Sequence, residues 1–409
     1  VSLDRPGGDR SPVTPDEFTQ QLEAIGRVAT QRPRDSEAGW LTQAGRSDWA
    51  VARRSLLSAS SSNVASIEAL DKALFVLCLD AEARDDDMGV AIKQLAFTRD
   101  GGNRWYDAAQ QFVVFSNGEW GHTMEHSTMD AAPVSQQMEW ILADIKANPF
   151  ATPRPGARLC EPEPLHWELP PEVKALVEDT KAAIAERWPE WRVSSGFAPA
   201  GTNVFKKLKV SPDAAIQMAM QLAHKRRYGR LVPTYESVVT LRFQRGRTET
   251  GRVVSVQAAD WVEAMVDPAV GQPDRRALLR AAIATHSKNI GGCANGQGID
   301  RHLFGIRIAC LENGLSVPKL LTDPLYDKCS TWLLSTSQTR GPTTARGPVC
   351  FHPVYRDGIG VVYVIERERT WTTVMSCASC PWTDSRSFMN DIHTAILDVA
   401  QLLASENKL

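Results

Sequence analysis

The chain has 409 residues, enough for two ordinary domains or one large one. Hydrophobic residues make up 43% and charged residues 23%, an ordinary globular balance. A formal net charge of -2 excludes a global basic field for nucleic acid or an anionic membrane, so a polyanionic ligand must meet a local basic patch.

No stretch approaches the roughly 20 apolar residues of a membrane-spanning helix. Val1 stands where an initiating Met would, which predicts upstream sequence and, with it, any targeting or membrane segment. The eight cysteines are scattered and read as reduced intracellular thiols. Cys377 and Cys380 form a CxxC without a second pair, so two half-buried thiols at a strand end are expected rather than zinc.

Residues 1–35 are polar and read as a surface lead-in. Residues 40–58 carry an apolar stripe for one helix, and Ile67, Leu70, Leu74 and Leu77 predict a second over Ser66 to Leu79. A loop follows, then a hairpin: Gln111 to Ser116 and Glu119 to Glu125 flank Asn117-Gly118, the signal for a two-residue turn. Ser135 to Ala147 reads as a helix. Five prolines between 148 and 166 mark a linker, which predicts a partial domain over 1–150 and a second over 166–409. Beyond it, Pro171 to Trp188 is a helix entered through prolines. Ser211-Pro212-Asp213 starts another, with Ser as N-cap and Asp at the positive dipole end. Gly360 to Glu366 and Thr370 to Ser376 read as strands, and about 386–404 as a last amphipathic helix. The class is α/β with a mixed sheet.

Three features carry chemistry. His126 sits where a strand ends and suits proton transfer near neutral pH, although a lone histidine is more often structural. Leu334 to Gln338 offers adjacent hydroxyls that can donate to an oxyanion; no Gly-x-Ser-x-Gly surrounds them, which argues against a serine hydrolase. Lys206, Lys207 and Lys209 precede the Ser211 helix start and form a local phosphate site or a solvated basic turn. The basic run His224 to Arg227 at the far end of that helix reads as capping.

Eight segments, in order, resemble the choline/carnitine acyltransferases, and most of all their carnitine palmitoyltransferase branch. They are Asn103-Arg104-Trp105-Tyr106-Asp107; Glu125-His126-Ser127-Thr128-Met129-Asp130; Ser211-Pro212-Asp213 with Gln217 and Gln221; and Thr234-Tyr235-Glu236-Ser237. Then come Gly246-Arg247-Thr248-Glu249-Thr250; Gly298 to Phe304; Leu334 to Gln338; and Asp357 to Val361. The resemblance implies two chloramphenicol-acetyltransferase-like α/β domains with an active-site tunnel at their interface. It implies that His126 takes the proton from carnitine's hydroxyl and that Ser337 stabilises the oxyanion. Tyr235, Ser237, Thr248 and Arg301 would hold carnitine's carboxylate, with Ser335 adding a contact. Lys206, Lys209 and Asp213 would bind coenzyme A. Asp130 would orient the base, or else cap the helix that follows.

The family's N-terminal segment is missing from the match, and Thr202 stands where lysine is common. The implied function is medium- or long-chain acyl transfer between coenzyme A and carnitine. The alternatives are a weakly active coenzyme A-binding remnant and an acyl-transfer domain of a larger synthase. Coenzyme A enters as a substrate; no cofactor and no metal is expected. The partners are carnitine and acyl-CoA, not nucleic acid, with membrane attachment only through a missing N-terminus. The resemblance points to mitochondria, and the final Asn407-Lys408-Leu409 weakly to peroxisomes.

Overall fold

The computed structural model describes residues 13–31, 37–97, 101–148, 162–339 and 349–405. Asn407-Lys408-Leu409 and most of the proline-rich stretch lie outside them. The chain divides into two compact units, 1–84 with 94–188, and 85–93 with 189–409. It is an α/β protein with mixed sheets.

The first unit holds α1 (Pro15–Gln31), a 3-10 turn over Ala38–Gln43, α2 (Arg46–Ala59) and α3 (Ser61–Asp71). A three-stranded sheet follows, with β1 (Val76–Leu79) parallel to β2 (Gln110–Val114) and β2 antiparallel to β3 (Trp120–Met124). Its helices are completed by α5 (Ala131–Ala147) and α6 (Pro171–Arg187), while α4 (Met88–Phe97) spans the change from one unit to the other along the chain. The helix at Pro171 therefore groups with the first unit, not with the residues after the linker.

Four local readings change. The lead-in contains α1, whose Glu17 accepts from the Thr14 backbone N–H at 2.8 Å and caps the helix start. The second predicted helix stops at Asp71, because Val76–Leu79 pairs as a strand with residues 111–114. The predicted loop contains α4, whose start is capped by Asp87 accepting from Gly89 at 2.8 Å and Val90 at 3.1 Å. In the hairpin only Gly118 adopts a positive φ, +80°, and its N–H donates to Phe115 O, so the turn is longer than the two-residue type.

Arg104 braces the sheet. Its guanidinium is fully buried and grips Asp80 bidentately, at 2.7 and 2.8 Å. Next to it Trp105 stacks on Trp167 at 5.6 Å, and Asp107 accepts from Trp49 Nε1 and Arg46. The Asn103–Asp107 motif is thus a structural brace.

The second unit is built on a six-stranded sheet in the order β4-β9-β8-β7-β5-β6. The strands are β4 (Trp191–Ala198), β5 (Thr234–Val239), β6 (Thr248–Arg252), β7 (Leu334–Gln338), β8 (Ile359–Ile365) and β9 (Thr370–Cys377). The helices are α7 (Thr202–Lys207), α8 (Pro212–Tyr228), α9 (Val256–Val266), α10 (Gln272–Ala294), α11 (Asp300–Glu312), α12 (Pro324–Cys329) and α13 (Ser385–Ala404). β5, β7 and β8 run parallel to one another and their outer neighbours antiparallel. The core lies where α8, α9, α10 and α13 meet Leu334, Ile359, Val361, Tyr363 and Val374 of the sheet.

Ser211 caps α8 by accepting from Ala214 N at 3.3 Å, as its sequence predicts. Residues 214–224 are then buried without interruption, so α8 is enclosed on all sides. The basic run at its end is taken up: His224 Nδ1 is 2.8 Å from Arg230 O, Lys225 pairs with Glu263, Arg226 with Asp398, and Arg227 with Asp391. Cys377 and Cys380 are both fully buried at the end of β9 rather than half-buried. Among the described residues no helix is long and apolar enough to cross a membrane.

Arg104→Ala should lower stability by about 3–5 kcal/mol, because Asp80 would be left without its counter-charge. Urea unfolding measures it; an unchanged midpoint would contradict the brace.

Candidate functional site

In the first unit, β3 ends at Met124 and presents His126 two residues later. His126 Nδ1 lies 2.9 Å from the Met129 carbonyl oxygen. A carbonyl can only accept, so Nδ1 carries the proton and the neutral ring keeps its lone pair on Nε2. The ring is two-thirds exposed, at 66% of its side chain. Asp130 Oδ1 stands 3.6 Å from Nδ1, in ion-pair range but too far for a hydrogen bond. Asp130 is also the N-cap residue of α5, though its side chain makes no cap hydrogen bond. The backbone of Met129 thus fixes the tautomer, and Asp130 supplies a nearby negative charge.

In the second unit, strand pairing gathers the other candidates. Side chains alternate along a strand, and paired residues on neighbouring strands share a face. Tyr235 pairs with Ser335 across β5 and β7, Ser237 with Thr250, and Val239 with Thr248 across β5 and β6. Tyr235, Ser237, Thr248, Ser335 and Ser337 therefore stand on one face of the sheet. Glu236 and Thr336, between them in sequence, point to the opposite face with Leu334 and the helical core.

Arg301 joins this face from the first turn of α11. Asp300 anchors that turn through a bidentate pair with Arg252 of β6, at 2.6 and 3.0 Å. Arg301 Nε then donates to Thr248 O at 3.2 Å, with Nη2 3.5 Å from Thr248 Oγ1. Gly298 makes the approach possible: a Cβ there would lie 2.2 Å from Glu249 Cγ. The result is an exposed guanidinium beside a row of hydroxyls, an arrangement able to bind a carboxylate.

Residues 3–394 match the Choline/Carnitine o-acyltransferase family. The chain belongs to that family. It is 32% identical to the carnitine O-acetyltransferase of Columba livia over 99% of this chain and 65% of that one. It is 32% identical to the choline O-acetyltransferase of Sus scrofa over 95% of this chain and 62% of that one. The peroxisomal carnitine O-octanoyltransferase of Bos taurus is 30% identical over 96% of this chain and 65% of its own. The chain thus spans about 65% of the length of these relatives. A solved chloramphenicol acetyltransferase matches with TM-score 0.29 and 7% identity, over 51% of this chain and 88% of that one, too slight a likeness to argue from.

The remaining candidates cluster where α7 meets α8. Lys206 lies in the last turn of α7, and Lys209 stands just beyond it, both exposed. Lys209 adopts φ +58°, the left-handed region. Its N–H donates to Lys206 O and that of Val210 to Phe205 O, which is the Schellman helix ending with lysine where glycine is usual. Asp213 does not simply face solvent. Its Oδ1 accepts from the Tyr363 hydroxyl at 2.6 Å, and its Oδ2 lies 3.8 Å from His286 Nε2.

Two residues of this cluster escaped the sequence reading as site residues. Glu236 Oε2 lies 2.9 Å from His286 Nε2, and both side chains are almost fully buried, at 5% and 1% exposure. Burial alone would lower the imidazole, but Asp213 and Glu236 outweigh it and raise His286 to about 9. Burial pushes the Glu236 carboxyl up, with Asp213 adding to the rise and His286 opposing it. Burial would also raise Asp213, but His286 and Tyr363 hold it below the usual carboxylate range. The signals were present. His286 follows Leu279, Ala282 and Ile283 at helical spacing on the buried stripe of α10, and Glu236 alternates with exposed-face residues.

Lys209→Gly should raise stability by roughly 1 kcal/mol, since glycine tolerates the left-handed backbone that lysine resists. Thermal or urea unfolding checks the sign; a loss of stability would contradict the strain.

Proposed function

We propose that this protein transfers an acyl group reversibly between coenzyme A and carnitine. The observation that carries the reading is the shared sheet face: hydroxyls from β5, β6 and β7 with Arg301 held on Thr248. Carnitine offers a carboxylate to the guanidinium. Choline has none, and Arg301 then has no partner in the acceptor.

His126 takes the carnitine hydroxyl proton on Nε2, the ring nitrogen left as acceptor by the Met129 carbonyl. The alkoxide attacks the thioester carbonyl directly. Ser337 donates to the oxyanion, the intermediate collapses, and the imidazolium returns its proton to the departing thiolate. No acyl-enzyme forms. Asp130 stabilises the imidazolium while it exists. Lys206 and Lys209 meet the coenzyme A phosphates, with Asp213 near the pantetheine or adenine end. The resemblance to the carnitine palmitoyltransferase branch is what supports a medium- or long-chain cargo, and a series from acetyl- to palmitoyl-CoA reads the preference.

The test is thiol release from acyl-CoA with carnitine, and with choline in parallel. His126→Ala should reduce the rate about a hundredfold or more. A wild-type rate no higher than that variant's would overturn the enzyme reading and leave a coenzyme A-binding remnant. Arg301→Ala should raise KM for carnitine at least about tenfold and leave KM for acyl-CoA within about twofold. Equal losses for both substrates would contradict the carboxylate contact.

A further inference from the structure

Behind the hydroxyl face runs a polar circuit, hydrogen-bonded on one arm and joined by close charge contacts on the other. Tyr363 donates to Asp213 at 2.6 Å and accepts from Gln217 Nε2 at 3.0 Å. Gln217 Nε2 also reaches Thr336 Oγ1 at 2.9 Å, and Thr336 donates to the backbone carbonyl of Tyr235 at 2.8 Å. On the other side, Asp213 faces His286, and His286 faces Glu236. The two arms leave one residue at the start of α8 and arrive at adjacent residues of β5. We propose that this circuit, with His286 between Glu236 and Asp213 as its keystone, is the positioning element that holds Tyr235 and Ser237 of β5 in register with Ser335 and Ser337 of β7.

The physical reason is the pleat. Glu236 shares its backbone with Tyr235 and Ser237, so a displaced Glu236 carboxylate tilts both neighbours. Thr336 stands in the same relation to Ser335 and Ser337. A buried carboxylate stays in place only against a counter-charge or several donors, and His286 supplies the charge. When the imidazolium loses its proton, Glu236 and Asp213 face each other across a neutral ring. Other charges around α10 are engaged or turned away. Glu263 of α9 pairs with Lys225, and Asp260 is exposed. On α13, Asp391 and Asp398 pair with arginines and His393 bonds Thr372. Cys293, further along α10, is 3.6 Å from Thr250 O and feels Glu249 and Asp300 as well as Glu236.

The circuit also begins next to Lys206 and Lys209, through Ser211 and α8, and ends at the hydroxyl face. It therefore spans from the proposed coenzyme A end to the proposed acceptor end of the same unit. This inference rests on the carnitine reading for its kinetic arm only.

Two measurements test it. Hydrogen exchange is independent of any activity: His286→Gln should speed exchange of the β5 amides at least about tenfold while β4 keeps its protection. Kinetically, the same variant should raise KM for carnitine about tenfold with KM for acyl-CoA within about twofold. Adding Glu236→Gln should restore most of that loss, because it removes the uncompensated carboxylate; a merely space-filling role predicts no rescue. In the wild type, which needs no variant to fold, KM for carnitine should hold steady near neutral pH and rise as pH climbs through about 9, where the raised imidazole deprotonates. His286→Gln should lack that rise. Unchanged β5 exchange in the variant would overturn the proposal even if the protein turns over carnitine, and so would a stoichiometric metal ion held by Asp213, Glu236 and His286. Accelerated exchange in a protein that ignores carnitine would uphold the circuit and refute only the substrate.

Discussion

The second unit depends on the two-residue alternation of β5 and β7. Because neighbours in a strand point to opposite faces, a short polar segment serves two environments at once. Tyr235 and Ser237, with Ser335 and Ser337, stand on one face, and Glu236 and Thr336 between them enter the core. A slip of one residue in either strand would bury the hydroxyls and expose the charge. The parallel register of β5 and β7 is therefore the constraint from which the candidate site follows.

That alternation brings a difficulty that the fold answers with polar pairing. A glutamate of β5 and two glutamines of α8 lie at the core around α8, a helix enclosed on all sides. Each finds a partner: Glu236 meets His286, Gln217 meets Thr336 and Tyr363, and Gln221 accepts from Thr234. The first unit uses the same device, with Arg104 buried against Asp80. In both, a buried charge stands against an opposite or polar partner, although Gln217 Oε1 and Gln221 Nε2 have no hydrogen-bond partner among the described residues. Such groups specify one register, since no alternative packing offers the same partners.

Family motifs turn out to mix two kinds of residue. Thr248 and Arg301 touch each other across β6 and α11 and leave a guanidinium available. Arg104, Trp105 and Asp107 are engaged in packing and pairing. Asp213 belongs partly to each kind, since its carboxylate is anchored to Tyr363 yet 23% exposed. A run of residues that resembles a family motif does not by itself say which of its members meet substrate and which hold the strands.

Local signals were legible where the physics is local. The Ser211 cap, the α8 start, the strands of β8 and β9 and the last helix all lie where spacing and capping predict. Val76–Leu79 was misread because a short apolar run is compatible with either period, and its pairing with residues 111–114 is a long-range event. The helix at 88–97 was missed because its cap, Asp87, sits in a run of three aspartates that reads as loop. The sequence by itself determined the residue types of the site, their order, and the family they belong to. Tertiary structure alone decided that His286 stands 2.9 Å from Glu236 rather than as an apolar-stripe bystander. It also decided that Lys209 ends a helix in the left-handed region and that the hydroxyls of three strands share one face. The reason is that pairing register and buried charge balance depend on residues tens of positions apart, which no local period encodes.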